Sequence, residues 1–66
     1  MHVTYGGTLY TLVHMREPIY QVIRQTDGAM IGTIDILDPR RSSETPRAEV
    51  GELRGVAKQI ERQLLD

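Results

Sequence analysis

The chain has 66 residues, no cysteine, 26% charged residues and a formal charge of −1. That leaves room for one domain with a thin core, removes the disulfides and the commonest metal sites that staple small proteins, and supplies no overall field to attract nucleic acid or anionic lipid. A subunit interface is the remaining way to supplement such a core, and the lack of cysteine fits a reducing, cytoplasmic setting.

Along the chain, the opening Met1-His2-Val3-Thr4-Tyr5-Gly6-Gly7 has no basic stretch leading into an apolar run. No later stretch approaches the roughly 18 apolar residues of a bilayer span, so neither a signal peptide nor a membrane partner is expected. Gly6-Gly7 separates a short first segment, which either flanks the sheet or frays, from a run rich in β-branched and aromatic residues over 8–15 that reads as a strand. Arg16-Glu17-Pro18 ends this strand, and a second follows over 19–25. Asp27-Gly28 between two alternating runs predicts a two-residue type I′ hairpin loop. That loop sets Ile23 opposite Gly32 and Gln21 opposite Ile34. One face then carries Ile19, Ile23, Met30, Ile34 and Ile36 and reads as the core. The other carries Tyr20, Val22, Arg24, Ile31, Thr33 and Asp35, with Tyr10 or Val13 beside them. Gly32, without a side chain in mid-strand, would let the helix come close to the sheet.

Residues 38–45, with two adjacent arginines and two serines and no periodicity, read as a loop. Thr45-Pro46 supplies an N-cap followed by a proline at the first helical position, predicting a helix over 46–65. Its apolar stripe is Val50, Leu53, Ala57, Ile60 and Leu64, widened by Val56, with Glu52, Gln59 and Gln63 on the opposite side. The predicted fold is therefore α+β, a single domain over 1–66. It has a three- or four-stranded antiparallel meander of hairpins over 1–37 and one C-terminal amphipathic helix packed on one face.

Catalytic, cofactor and metal signatures are weak. His2 and His14 have no carboxylate or second histidine at a ligand spacing, Gly6-Gly7 lacks the lysine and following helix of a phosphate loop, and Ser42 and Ser43 have no base nearby. The carboxylates fall in turns or on the outer helix, apart from Asp35 in mid-strand. No catalytic activity, cofactor or metal is expected. Gly51 and Gly55, one turn apart, each cost a helix interior about 1 kcal/mol relative to alanine, and with Ala48 they suggest a side where another backbone approaches closely.

The functional expectation is thus a small non-catalytic protein-binding module, of the adaptor or inhibitor kind encoded by phages and other mobile elements. It would act as a homodimer or against a larger protein through Tyr10, Tyr20, Val22, Arg24 and Ile31. The alternative is a DNA- or RNA-binding regulator. Seven of the eight basic residues are arginine, and Arg24, Arg40, Arg41 and Arg47 would make its phosphate-binding patch. Three antiparallel strands followed by a helix, with Ile31-Gly32-Thr33-Ile34-Asp35 as the third strand, resembles the DNA-binding domains of plant AP2 factors and, in element order, the arm-binding domains of some phage integrases. The resemblance implies nucleic-acid binding through the sheet. Those domains carry many Arg, Lys and Trp residues there, whereas Arg24 is the only strand cation here and Trp is absent.

Overall fold

The computed structural model describes residues 1–65, and for Leu65 the backbone alone. Five strands precede one helix: β1 (His2–Tyr5), β2 (Thr8–Arg16), β3 (Ile19–Arg24), β4 (Met30–Asp35), β5 (Ser42–Glu44) and α1 (Glu52–Leu65). Each strand pairs antiparallel with the next, in the order β1-β2-β3-β4-β5, and α1 packs across one face. The α+β class and the meander are as expected. The strands number five rather than three or four.

The first extra strand follows from the glycine pair. Gly6 and Gly7 take φ of 58° and 79°, the left-handed values that a tight hairpin turn requires of both central residues, so Tyr5 comes opposite Thr8 and β1 is paired rather than frayed. The second, β5, lies inside the expected loop of residues 38–45. Asp35 Oδ1 accepts the N–H groups of Leu37 and Asp38 at 2.9 and 3.3 Å, and Arg41 N–H donates to the Asp38 carbonyl at 2.8 Å. This tight turn sends the chain back along β4, whose open edge offers unpaired backbone groups, and Ser42, Ser43 and Glu44 pair with Ile34, Thr33 and Gly32.

The hairpin between β3 and β4 departs from the predicted register. Arg24 N–H donates to the Ala29 carbonyl and Gly28 N–H to the Arg24 carbonyl, each at 2.8 Å, so the loop holds four residues instead of two. Asp27 does not adopt the positive φ of a type I′ turn, and its Oδ1 accepts the Ala29 N–H at 3.1 Å. The longer loop and a bulge at Ile31 put Val22 opposite Gly32, Tyr20 opposite Ile34 and Ile23 opposite Met30. A one-residue slip exchanges the two faces of a strand. The core face is consequently the one carrying Tyr20, Val22 and Ile34, whereas Ile19, Ile23 and Met30 lie on the open face.

The core joins Val3, Tyr10, Leu12, Val22, Ile31 and Ile34 of the sheet to Leu53, Val56, Ala57 and Ile60 of α1. Gly32 plays the part assigned to it. A Cβ there would stand 2.6 Å from Leu53 Cδ2 and 2.5 Å from the Ser43 carbonyl oxygen, so only glycine admits this close approach. Gly55 also meets a side chain of its own chain rather than a partner backbone, because the Tyr5 ring lies where its Cβ would be.

The helix starts six residues later than predicted. Thr45 caps a single turn, with Ala48 N–H on its carbonyl at 3.1 Å and Arg47 N–H on its Oγ1 at 3.3 Å. The chain then breaks at Gly51, whose φ of 77° is left-handed, and the first helical bond runs from Gly55 N–H to the Gly51 carbonyl at 3.0 Å. Val50 therefore lies outside the helix, fully exposed, and Leu64 at the other end of the expected stripe is half-exposed.

Candidate functional site: a buried ion-pair cluster and an uncharged sheet face

The slip in register relocates the residues expected to bind a partner. Tyr10, Val22 and Ile31 are 3%, 0% and 0% exposed beneath α1, and Tyr20 packs against the same core with the His14 imidazole edge-on to its ring at 5.3 Å. They form the inner face, so the surface they were expected to offer is the interior of the fold.

Arg24 shares this face and anchors a cluster. Its Nε and Nη2 donate to Glu52 Oε2 and Oε1 at 2.8 and 2.6 Å, a bidentate fork. Nη1 donates to Asp27 Oδ2 at 2.7 Å, and Nη2 also reaches the Arg47 carbonyl at 3.1 Å. Glu52, the first residue of α1, further accepts the Tyr10 hydroxyl at 2.7 Å and the Glu49 N–H at 3.0 Å. Five segments thus converge on one carboxylate and one guanidinium. The Arg24 fork, outweighing burial, holds Glu52 down to about 2, and the Glu52 hydrogen bonds hold Arg24 protonated well above its usual range. Burial, then the hydrogen bond to Glu52, raises Tyr10 to about 12. Groups so fixed in charge have no proton to exchange at neutral pH, and the cluster is suited to joining the sheet to the start of the helix rather than to acid–base chemistry.

The four arginines of the expected phosphate patch are divided. Arg24 is committed inward. Arg40 is exposed and paired with Asp38 at 3.2 Å, Arg41 is exposed just before β5, and Arg47 is exposed in the turn after it. An open groove of about 910 Å³ between β5 and α1 is lined by charges of both signs, among them Arg40, Glu44, Arg54, Lys58 and Glu61. Among the described residues, no group of three His, Cys, Asp or Glu side chains could hold a metal ion. No helix among them is long and apolar enough to cross a membrane.

The open face of the sheet has a different character. Cross-strand pairs share a face, so its rows can be followed from the register. His2, Thr11, Ile23 and Met30 form one row, and Val13, Gln21, Thr33 and Ser43 the next. Leu9 stands beside Thr4 at one end, and Ile19 lies between Arg16 and Asp35 at the other. Leu9 and Val13 are 43% and 44% exposed, and Ile19, Ile23 and Met30 are partly exposed. In a chain with 26% charged residues, the middle rows of this face carry neither Asp, Glu, Lys nor Arg. Its charges gather at one end, where Arg16 and Asp35 flank Ile19 and Arg41, whose carbonyl accepts the Asp35 N–H at 3.1 Å, lies beyond Asp35. Alternation alone identified Ile19, Ile23 and Met30 as an apolar set. Its assignment to the exterior depends on the loop length.

No protein-family model matches the chain, and neither a curated protein nor a solved structure matches it. What the coordinates define is the class: a small α+β domain, a five-stranded antiparallel meander covered on one face by a single helix.

Proposed function

We propose that the chain is a non-catalytic protein-binding module, of adaptor or inhibitor type, that docks through the open face of its sheet. What supports the reading is the absence of charge from the middle rows of that face together with its exposed Leu9 and Val13 and partly exposed Ile19, Ile23 and Met30. Depletion of charged residues at the centre of a patch is the compositional mark of an interface. The same feature disfavours the other surfaces a small protein meets, since phosphate backbones and anionic lipids call for Lys and Arg across the contact, where the middle rows of this face have none.

The test is a tagged full-length chain recovered from its host with and without Val13→Glu. A charge at this exposed strand position leaves the thermal midpoint within a few degrees of wild type, because surface substitutions cost within about 0.5 kcal/mol. A defined protein recovered with the wild type and lost with Val13→Glu supports the reading. Recovery that is indifferent to Val13→Glu overturns it.

A further inference from the structure

We propose that the occupant of the open face is a second copy of the chain, related by a twofold axis lying parallel to β3 between the two sheets. The proposal rests on the reading above and names the partner.

Its carrying observation is the pair of charges at one end of the face. Arg16 on β2 and Asp35 on β4 both neighbour Ile19 on β3 across the ladder, one on each side. Among the described residues neither makes an ion pair within its own chain. A twofold axis along the central strand lays β2 of one copy over β4 of the other, at the same height. Arg16 of each copy then meets Asp35 of its mate, twice per dimer. The same operation sets Ile19, Gln21 and Ile23 against their own counterparts and Val13 against Thr33, so no charge faces an apolar row. Arg41 lies outside Asp35, at a height β1 of the mate does not reach, so the facing pair is Arg16 on β2 and Asp35 on β4. A cation and an anion placed on either side of the central strand make the face complementary to itself, as an isologous interface requires.

Dimensions and edges agree. The molecule measures 27 × 24 × 19 Å, and a standard interface of roughly 800 Å² per partner would use nearly the whole of its sheet face. Two sheets stacked about 10 Å apart would bury the apolar rows as a sandwich core does. Addition at an edge is the competing mode for a sheet protein, but β5 is three exposed polar residues bracketed by Pro39 and Pro46, and the other edge strand, β1, is only four residues long, so both edges are the short kind that resists such pairing.

The experiment is sedimentation of the purified chain at tens of micromolar, alone and as charge variants. Wild type sediments as a dimer. Arg16→Asp, which opposes Asp to Asp35, and Asp35→Arg, which opposes Arg to Arg16, each weaken association about tenfold or more, and an equimolar mixture of the two restores it because both contacts are again of opposite sign. Asp35 also holds the turn before β5. Arg16→Asp, at an exposed strand end, is therefore decisive by itself if Asp35→Arg loses the wild-type circular dichroism spectrum. A monomeric wild type, or an Arg16→Asp chain that dimerises as wild type does, overturns the proposal. A monomeric wild type that still captures a host protein in a Val13-dependent way sinks the dimer and leaves the binding-module reading standing. Loss of both removes the two together.

Discussion

At the scale of single residues, the Arg24–Glu52–Tyr10 cluster is where charge is concentrated inside the fold. Glu52→Ala strands the donors of Arg24 and Tyr10 and is expected to cost about 2 kcal/mol, and Tyr10→Phe about 1 kcal/mol, as differences in urea midpoint. The pH dependence has a definite sign. Glu52 sits at about 2 against an ordinary 4.5, so its contribution is complete above about 4.5 and is lost as pH falls toward 2. The stability advantage of wild type over Glu52→Gln should therefore shrink through that window and vanish at its lower end. Tyr10, raised to about 12, contributes in full below 10 and loses its contribution as pH rises through 12. Two glycines make a contrasting pair. At Gly32 the obstacle includes the Ser43 backbone, which cannot move aside, and Gly32→Ala should cost about 1–3 kcal/mol. At Gly55 the obstacle is the end of the Tyr5 side chain, 36% exposed and able to swing away, while alanine gains about 1 kcal/mol of helix propensity. Gly55→Ala should thus be nearly neutral in thermal denaturation.

At the scale of elements, turn chemistry decides where strands and helix begin. Gly51 permits the left-handed corner that lets α1 start where Glu52 can reach Arg24. Gly51→Ala should cost about 1 kcal/mol, whereas Val50→Ser one residue earlier, on a fully exposed side chain, should stay within about 0.5 kcal/mol. Asp27 has a similar place in the β3–β4 loop, where it holds both the Ala29 N–H and Arg24. It was visible from the sequence as a turn residue. The turn type was not, because the Asp-Gly pair satisfies several loops, and the contacts of the loop that forms run through Arg24 in the strand before to Glu52 far along the chain.

At the scale of the whole molecule, the fold sorts its charges. The helix side carries the Arg24–Glu52 cluster and the mixed-charge groove, and the sheet's open side is uncharged except at the end that holds Arg16, Asp35 and Arg41. If that side is shared between two copies, folding and association are linked, and the melting temperature should climb with protein concentration for wild type but not for Arg16→Asp. A differential scan at several concentrations measures both. Such coupling is the outcome anticipated for a chain whose size leaves only a thin core and whose composition holds no cysteine.

The residues by themselves determined the class: strand-forming alternation through residue 37, glycine and proline punctuation, and a helical stripe centred on Leu53, Ala57 and Ile60. These are local preferences, expressed whatever the rest of the chain does. Which face of the sheet is inside was left to tertiary structure, because β3 is apolar on both sides, with Ile19 and Ile23 on one and Tyr20 and Val22 on the other, and periodicity cannot rank two such faces. A strand as polar as Ser42–Glu44 has no pattern of its own and exists because β4 leaves an edge to pair with. Glu52, placed by its spacing on the outer helix face, is buried because Arg24 waits there, 28 positions away, and a contact at that separation is created only by the folded chain.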